Sequence, residues 1–367
     1  MKGQWLGTYS GSIDGMLMIN IDETKNNYEG VAYLFPRDKK FPSSVAYIST
    51  ANKKNKQEAM AYVNAVDPRT RFQCSWDEIK DLYEPDIVHS TEAKIKFNKV
   101  KNKLHFDAIT NIGVTVNAIL EKPSETDSSK IVGKEMSWSK FKTYVSKLSK
   151  SRYLFRGQQK PWRLRTSFHR RGRYRISEFT NKDVKQLHQR LSAITSHYFD
   201  LNVPNQNGSF FNLLQHHGYP TPLLDWSYSP YVSAFFAFRD WSIKYSGDEH
   251  ARIYIFNNEA WQKNNEQLQY LDPPFPHLSV MEFIAIDNPR LVPQQAVTTV
   301  TNLDDIEDYL LQKEIRENEQ YIQAIDIPAK EREVAMRDLR FMGITAGSMF
   351  PSIDGVCEEL RECNFEE

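Results

Sequence analysis

Residues 214–238 read LQHHGYPTPLLDWSYSPYVSAFFAF, and the order of constrained residues in this stretch decides how the surrounding chain folds. Pro220 and Pro222 each fix φ, so the bend at 218–222, opened by Gly218, is rigid. Ser229 precedes Pro230, the order of an N-cap and a first helical position, and an apolar helix is expected over 231–241. Asp225 sits close to that helix start, where exposed amides favour a carboxylate; it is either a cap or turn residue or a site acid. His216 and His217 are adjacent. Neighbouring histidine side chains usually diverge and no further ligand stands nearby, so a loop or core role weighs against a metal pair.

Working upstream, residues 153–164 read YLFRGQQKPWRL. Arg156 follows a short apolar strand (153–155) and precedes Gly157, which places a guanidinium where the backbone turns. Its planar five-donor fork suits phosphate, ribose or carboxylate. The alternative is a structural arginine that donates to loop carbonyls. From 152 to 175 the chain carries Arg152, Arg156, Lys160, Arg163, Arg165, Arg170, Arg171, Arg173 and Arg175 with no acidic residue between them. Such a run is either a solvated basic face or a site for the phosphates of a nucleotide or nucleic acid.

Further out, the first 120 residues alternate apolar and polar side chains in short runs at 16–21, 30–35, 45–48, 61–66, 93–97, 104–109 and 114–120, separated by polar turns. That pattern predicts an all-β domain over 1–120, an antiparallel barrel or sandwich. Residues 121–135 (EKPSETDSSKIVGKE) read as a linker. Beyond them, helical spacing at 137–148, 180–199, 306–318 and 329–341 interleaves with strand runs at 252–256, 281–286, 291–300 and 321–327. The expected fold class is therefore α+β, with a second domain over 136–361 and a tail at 362–367.

The chain has 367 residues, and Lys+Arg and Asp+Glu each number 47. A protein held on nucleic acid mainly by neutralising phosphates usually carries a basic excess, which is absent here. Cys74, Cys357 and Cys363 show neither metal-ligand spacing nor a disulfide framework, which suits a reducing compartment. Neither an apolar signal core nor a run of 18 apolar residues occurs, so a cytoplasmic protein without a membrane partner is expected. Phosphate-cradling glycine motifs, a nucleophile elbow and a His-Glu-x-x-His pair are all missing, and no metal is expected.

Four ordered blocks together resemble the FRG domain family. They are LFRGQ at 154–158, QHHGYPTPLLDWSYSPYVSAFFAF at 215–238, the Asn288-x-Arg290…Gln294 pattern, and LRFMGITAGSMFPSIDG at 339–355. The resemblance implies a fold like that of ADP-ribosyltransferases, with two short antiparallel sheets and an NAD cleft between them. Matched in order, Arg156 with Gly157 and Gln158 would hold the ribose and phosphate region, and Thr221 to Ser227 would line the nicotinamide pocket. His216, Trp226, Ser227 and Arg290 would contact the cofactor. Gln294 falls where the family fold places a glutamate. A glutamine positions a hydroxyl but offsets no cation, so Asp225, or Glu282 on the preceding strand, would have to supply the negative charge. The implied function is an NAD-consuming transferase, a toxin or phage-defence effector acting on a protein or nucleic acid, with a regulatory role open to the β domain. The alternative is a non-catalytic sensor or adaptor that binds a nucleotide or nucleic acid.

Overall fold

The computed structural model describes residues 1–122, 126–149, 151–239 and 249–365. The alternating runs of the first domain become β1 (Gly3–Gly11), β2 (Gly15–Glu23), β3 (Tyr28–Pro36), β4 (Ser44–Ser49), β5 (Lys56–Val66), the two-residue β6 (Gln73–Cys74), β7 (Glu92–Val100), β8 (Lys103–Thr110) and β9 (Thr115–Glu121). Every neighbouring pair is antiparallel. β4 pairs with β5 as well as β3, and β1 pairs with β9 as well as β2, so eight strands close on themselves. Closure selects the barrel over the sandwich and leaves no long edge. Alternate residues point inward, and Trp5, Leu17, Ile19, Phe97, Phe106 and Leu120 fill the interior. Full burial of each such side chain contributes about 1.5–3 kcal/mol.

A second sheet has the order β10 (Gly133–Glu135), β16 (Ile322–Pro328), β13 (His250–Asn257), β11 (Tyr153–Gln158), β12 (Leu223–Ser227), β15 (Ala296–Thr301) and β14 (Leu278–Met281). Only β10–β16 is parallel among its pairs. β11 pairs with β13 along its whole length, and β12 with β15 likewise, yet β11 and β12 meet at the single pair Phe155↔Ser227. The sheet is thus two smaller sheets hinged at one bridge. One face packs Phe155, Ile253 and Ile325 against Phe235 and Phe238 of the helix Pro230–Phe238. The other packs Leu154, Trp226, Tyr254 and Trp261.

Several sequence expectations shift. Residues 121–135 are anchored rather than strung: β10 joins the sheet, Ile131 is buried in its core, and the Lys130 amide donates to Glu307 Oε2 at 2.7 Å. Positions 123–125 lie outside the described residues. The strand expected at 281–286 lies at Leu278–Met281, and that expected at 291–300 begins only at Ala296. Residues 288–294 form a loop flanked by Asp287 (φ 51°) and Gln295 (φ 46°), both left-handed. The helix expected over 180–199 is a π-turn, Phe179–Asp183, followed by Val184–Leu191. It stops because His188 Nε2 pairs with the Phe199 carbonyl at 2.6 Å and folds the chain back. A helix at Pro204–His216 was not anticipated. Residues 362–365, read as tail, continue the helix Ile353–Phe365, and the end of the helix expected over 231–241 lies outside the described residues.

The barrel is fastened to the second unit by polar bonds. Gln4 donates through Nε2 to the Asn302 carbonyl at 2.7 Å, and its Oε1 accepts from the Asp304 amide at 2.9 Å. Asp22 Oδ1 accepts from the Tyr174 amide at 2.7 Å, and Glu29 pairs with Arg175 at 2.6 Å.

Candidate functional site

Where β11 and β12 part beyond their one bridge, a cleft of about 470 Å³ opens. The residue after the bridge on β11 is Arg156. Its Nη1 reaches across the split and donates to the Asp225 carbonyl on β12 at 2.7 Å, where a ladder bond would otherwise run. Its Nε is buried without a protein partner. Arg156 is therefore a structural bridge through one nitrogen and an unfilled donor through another. Burial, reinforced by the nearby Arg170 charge and opposed by Asp225, pulls the guanidinium pKa down to about 10, so it stays charged at neutral pH.

Gly157 follows for a steric reason. A Cβ there would overlap the Ser233 carbonyl and lie 2.8 Å from the Ala237 amide, because the helix Pro230–Phe238 crosses the strand at van der Waals contact. That helix is started by Ser229, whose hydroxyl accepts from the Val232 amide at 3.2 Å, with Pro230 behind it. The cap is Ser229 and not Asp225. Asp225 instead lies within β12 with its side chain in the cleft, and its Oδ1 is a buried oxygen with no partner. Ser233 Oγ, also at the cleft, is buried and unpaired.

The opposite wall comes from the loop after β14 and from the C-terminal segment. Ser227 donates to the Gln294 carbonyl at 2.8 Å and accepts from the Ser229 amide at 3.0 Å, so its proton is committed to the loop. Gln294 lines the cleft but donates through Nε2 to the Met349 carbonyl at 2.9 Å. Asn288 donates to Asn212 Oδ1 at 2.6 Å and pairs with His216 Nδ1. Arg290 donates to the His216 carbonyl at 2.6 Å and lies 5.3 Å from the Phe350 ring centre. Asn288 and Arg290 thus hold this loop against the helix Pro204–His216, and Gln294 holds it to the C-terminal segment at Met349.

Arg156, Gly157, Gln158, His216, Asp225, Trp226, Ser227, Arg290 and Gln294 all line the one cleft. Thr221 does not: it is 0% exposed, hydrogen-bonds Gln215 through Oγ1, and its amide donates to Ser167 Oγ at 3.0 Å. Its role is to seat the rigid bend. The Trp226 indole turns into the core, donating to Thr299 Oγ1 at 3.0 Å. Glu282 lies beyond the end of β14, hydrogen-bonded by Tyr228, and lines a different cavity.

The arginine run also resolves. Arg152 pairs with Glu259, Lys160 with Glu249, Arg163 with Asp305, Arg165 with Asp304, Arg173 with Asp183 and Arg175 with Glu29. Among the described residues no such ion pair involves Arg156, Arg170 or Arg171, and these three line a cavity of about 530 Å³. It shares Arg156, Arg170, Gln215 and Asp225 with the first, so the two form one groove. Arg170 stood in the arginine run read as a candidate phosphate site, whereas sequence reasoning passed over Gln215, Ser233, Phe236 and Phe350 as site residues. Phe236 and Phe350, edge-to-face at 5.9 Å, make an aromatic wall. Both stand in the quoted motif blocks, which was the available signal.

Residues 151–245 match the family model described as FRG domain. The FRG-matched segment contains Arg156, Arg170, Gln215, Asp225, Ser233 and Phe236, and it ends before Arg290, Gln294 and Phe350. The groove is therefore completed by chain outside the matched segment. No curated protein and no solved structure matches the chain. Among the described residues no group of three His, Cys, Asp or Glu is placed to hold a metal ion, and no helix is long and apolar enough to cross a membrane.

Proposed function

We propose that the groove is a dinucleotide site and that the protein uses NAD as a substrate, transferring its ADP-ribose part to a group on a protein or nucleic acid. The observation that carries this reading is the meeting of Arg156 and Asp225 at the split between two hinged sheets, each with a buried polar atom unfilled. Arg156, Arg170 and Arg171 offer positive charge to a diphosphate. Phe236 and Phe350 offer a wall against which a ring can stack. The joined cavities have the size of pockets that hold whole cofactors.

In the reaction the bond between ribose C1′ and the nicotinamide nitrogen breaks, and nicotinamide leaves with the bonding pair. The acceptor's lone pair then forms the new bond to C1′ and its proton is released. Positive charge builds on the ribose as the first bond stretches, and the Asp225 carboxylate is the acidic group in the cleft that offsets it. Gln294, fixed by Met349, orients rather than neutralises.

Purified protein incubated with NAD is expected to release nicotinamide, and Arg156→Ala to abolish the release. Absence of nicotinamide release, with or without a lysate supplying acceptors, would overturn the reading. A second reading, a nucleotide-binding module without catalysis, draws on the neutral Gln294. It is distinguished by NAD binding that depends on Arg156 with no nicotinamide released.

A further inference from the structure

A smaller cavity, about 260 Å³, lies where the barrel meets the second unit. Lys2 and Lys122 reach it from the barrel, and Arg163, Arg165, Arg170 and His169 from the arginine run. Among the described residues Asp304, bound to Arg165, is the acidic side chain that lines it, and Arg163 pairs with Asp305 at 3.8 Å. Lys2 and Arg170 take part in no such ion pair among the described residues, and a bound anion relieves the repulsion between Arg170 and its neighbour Arg165.

Two of the residues that line it, His169 and Arg163, each carry a buried nitrogen with no partner. His169 is 0% exposed, and its Nε2 has no partner. Its Nδ1 lies 2.7 Å from Thr166 Oγ1, which already accepts from the His169 amide at 3.3 Å. The Thr166 hydroxyl and Nδ1 share one hydrogen bond, which leaves Nε2 as the ring's unpartnered nitrogen. Burial lowers the imidazole pKa to about 4, so the ring is neutral, and the tautomer with its hydrogen on Nε2 presents a donor to an anion. Arg163, whose side chain is 9% exposed, likewise has a buried Nε with no partner. Gly172 also lines it, at φ 69°, where glycine is favoured, and a Cβ there would stand 2.7 Å from Lys2 Nζ and push that flexible ammonium aside.

We propose that this junction cavity is a second anion site that binds a phosphate group, free or as a phosphate ester, and ties the barrel to the second unit. A tetrahedral oxyanion suits donors that converge from two domains and several planes, whereas a carboxylate offers two oxygens in one plane. Arg170 lines both this cavity and the larger groove, whereas Lys2, Arg163 and His169 line this cavity and not the groove.

The test is a titration of the full chain with inorganic phosphate, and in parallel with AMP, at ionic strength held constant with NaCl. Tm and a His169 ring resonance are followed. A saturable rise in Tm with a shift of that resonance is expected for at least one probe, and the tighter probe tells a free ion from an ester. Lys2→Glu, at an exposed position that leaves the core intact, is expected to weaken binding about tenfold or more, as loss of one charge-assisted contact does. Arg163→Gln is expected to do the same, and Arg156→Ala to leave this binding in place. The proposal is overturned if neither probe saturates, if Lys2→Glu binds as tightly as the parent, or if Arg156→Ala removes the response.

Discussion

Arg156 serves structure and site with different nitrogens. Its Nη1 replaces a missing ladder bond by holding the Asp225 carbonyl, while its Nε is unfilled in the cleft. Asp225 divides in the same way, backbone to Arg156 and carboxylate to the cleft. Asp225→Asn keeps the shape and the backbone bond but removes the charge. It is expected to leave Tm nearly unchanged while lowering the rate of nicotinamide release about 10²–10³-fold, the usual cost of losing one transition-state electrostatic contact. Gln294→Glu is expected to lose stability rather than gain rate. The new carboxylate would face the Met349 carbonyl in a buried position, at a cost of roughly 1–3 kcal/mol read from denaturant midpoints. Arg156 and Asp225 were legible in the sequence because each sits beside a residue that punctuates the backbone, Gly157 and the Ser229-Pro230 cap. Thr221 shares that neighbourhood yet is buried, since the proline bend turns it towards Gln215 and Ser167. Residue type alone does not show which way a side chain in a bend will point.

At the scale of elements, the site exists because one helix and one strand touch backbone to backbone. Gly157→Ala would force the helix Pro230–Phe238 off β11 and is expected to cost about 1–3 kcal/mol or more by overpacking, with loss of nucleotide binding. Strands with clean alternation, such as β7 and β9, could be read directly, because one face is wet and the other dry. The helix Pro204–His216 could not, because its residues 209–214 are all buried and a stripe disappears when most faces are covered. The 180–199 helix was over-extended because helical spacing continues through residues that His188 pulls into a reversal. The 121–135 segment reads as a linker because it attaches mainly through hydrogen bonds to Glu307 and β16, and the buried Ile131 is too little apolar material to make a periodic signature.

For the whole molecule, the barrel and the second unit share a polar interface that includes Tyr33 and Asp272. The Tyr33 hydroxyl lies 3.4 Å from both Asp272 oxygens. Burial pushes the Asp272 carboxyl from 3.8 up to about 7, against the lowering effect of the Tyr33 bond. Between about pH 4 and 7 the folded protein therefore holds a proton that the unfolded chain has lost, so this group's contribution to stability falls as pH rises through that window. Asp272→Asn is expected to raise Tm relative to the parent at pH 8, with the difference closing near pH 4; a difference that grows towards acid would contradict the assignment. Barrel closure, like this interface, depends on contacts between residues far apart in sequence, such as Gln4 with Asn302, and no local pattern announces them. The decisive experiment on the groove combines calorimetric titration with NAD and a nicotinamide-release assay on the parent protein and Arg156→Ala. Binding and release in the parent, both lost in Arg156→Ala while its fold is retained, are expected. Release that persists undiminished in a folded Arg156→Ala, or a parent that neither binds nor cleaves NAD, would contradict the assignment of the groove.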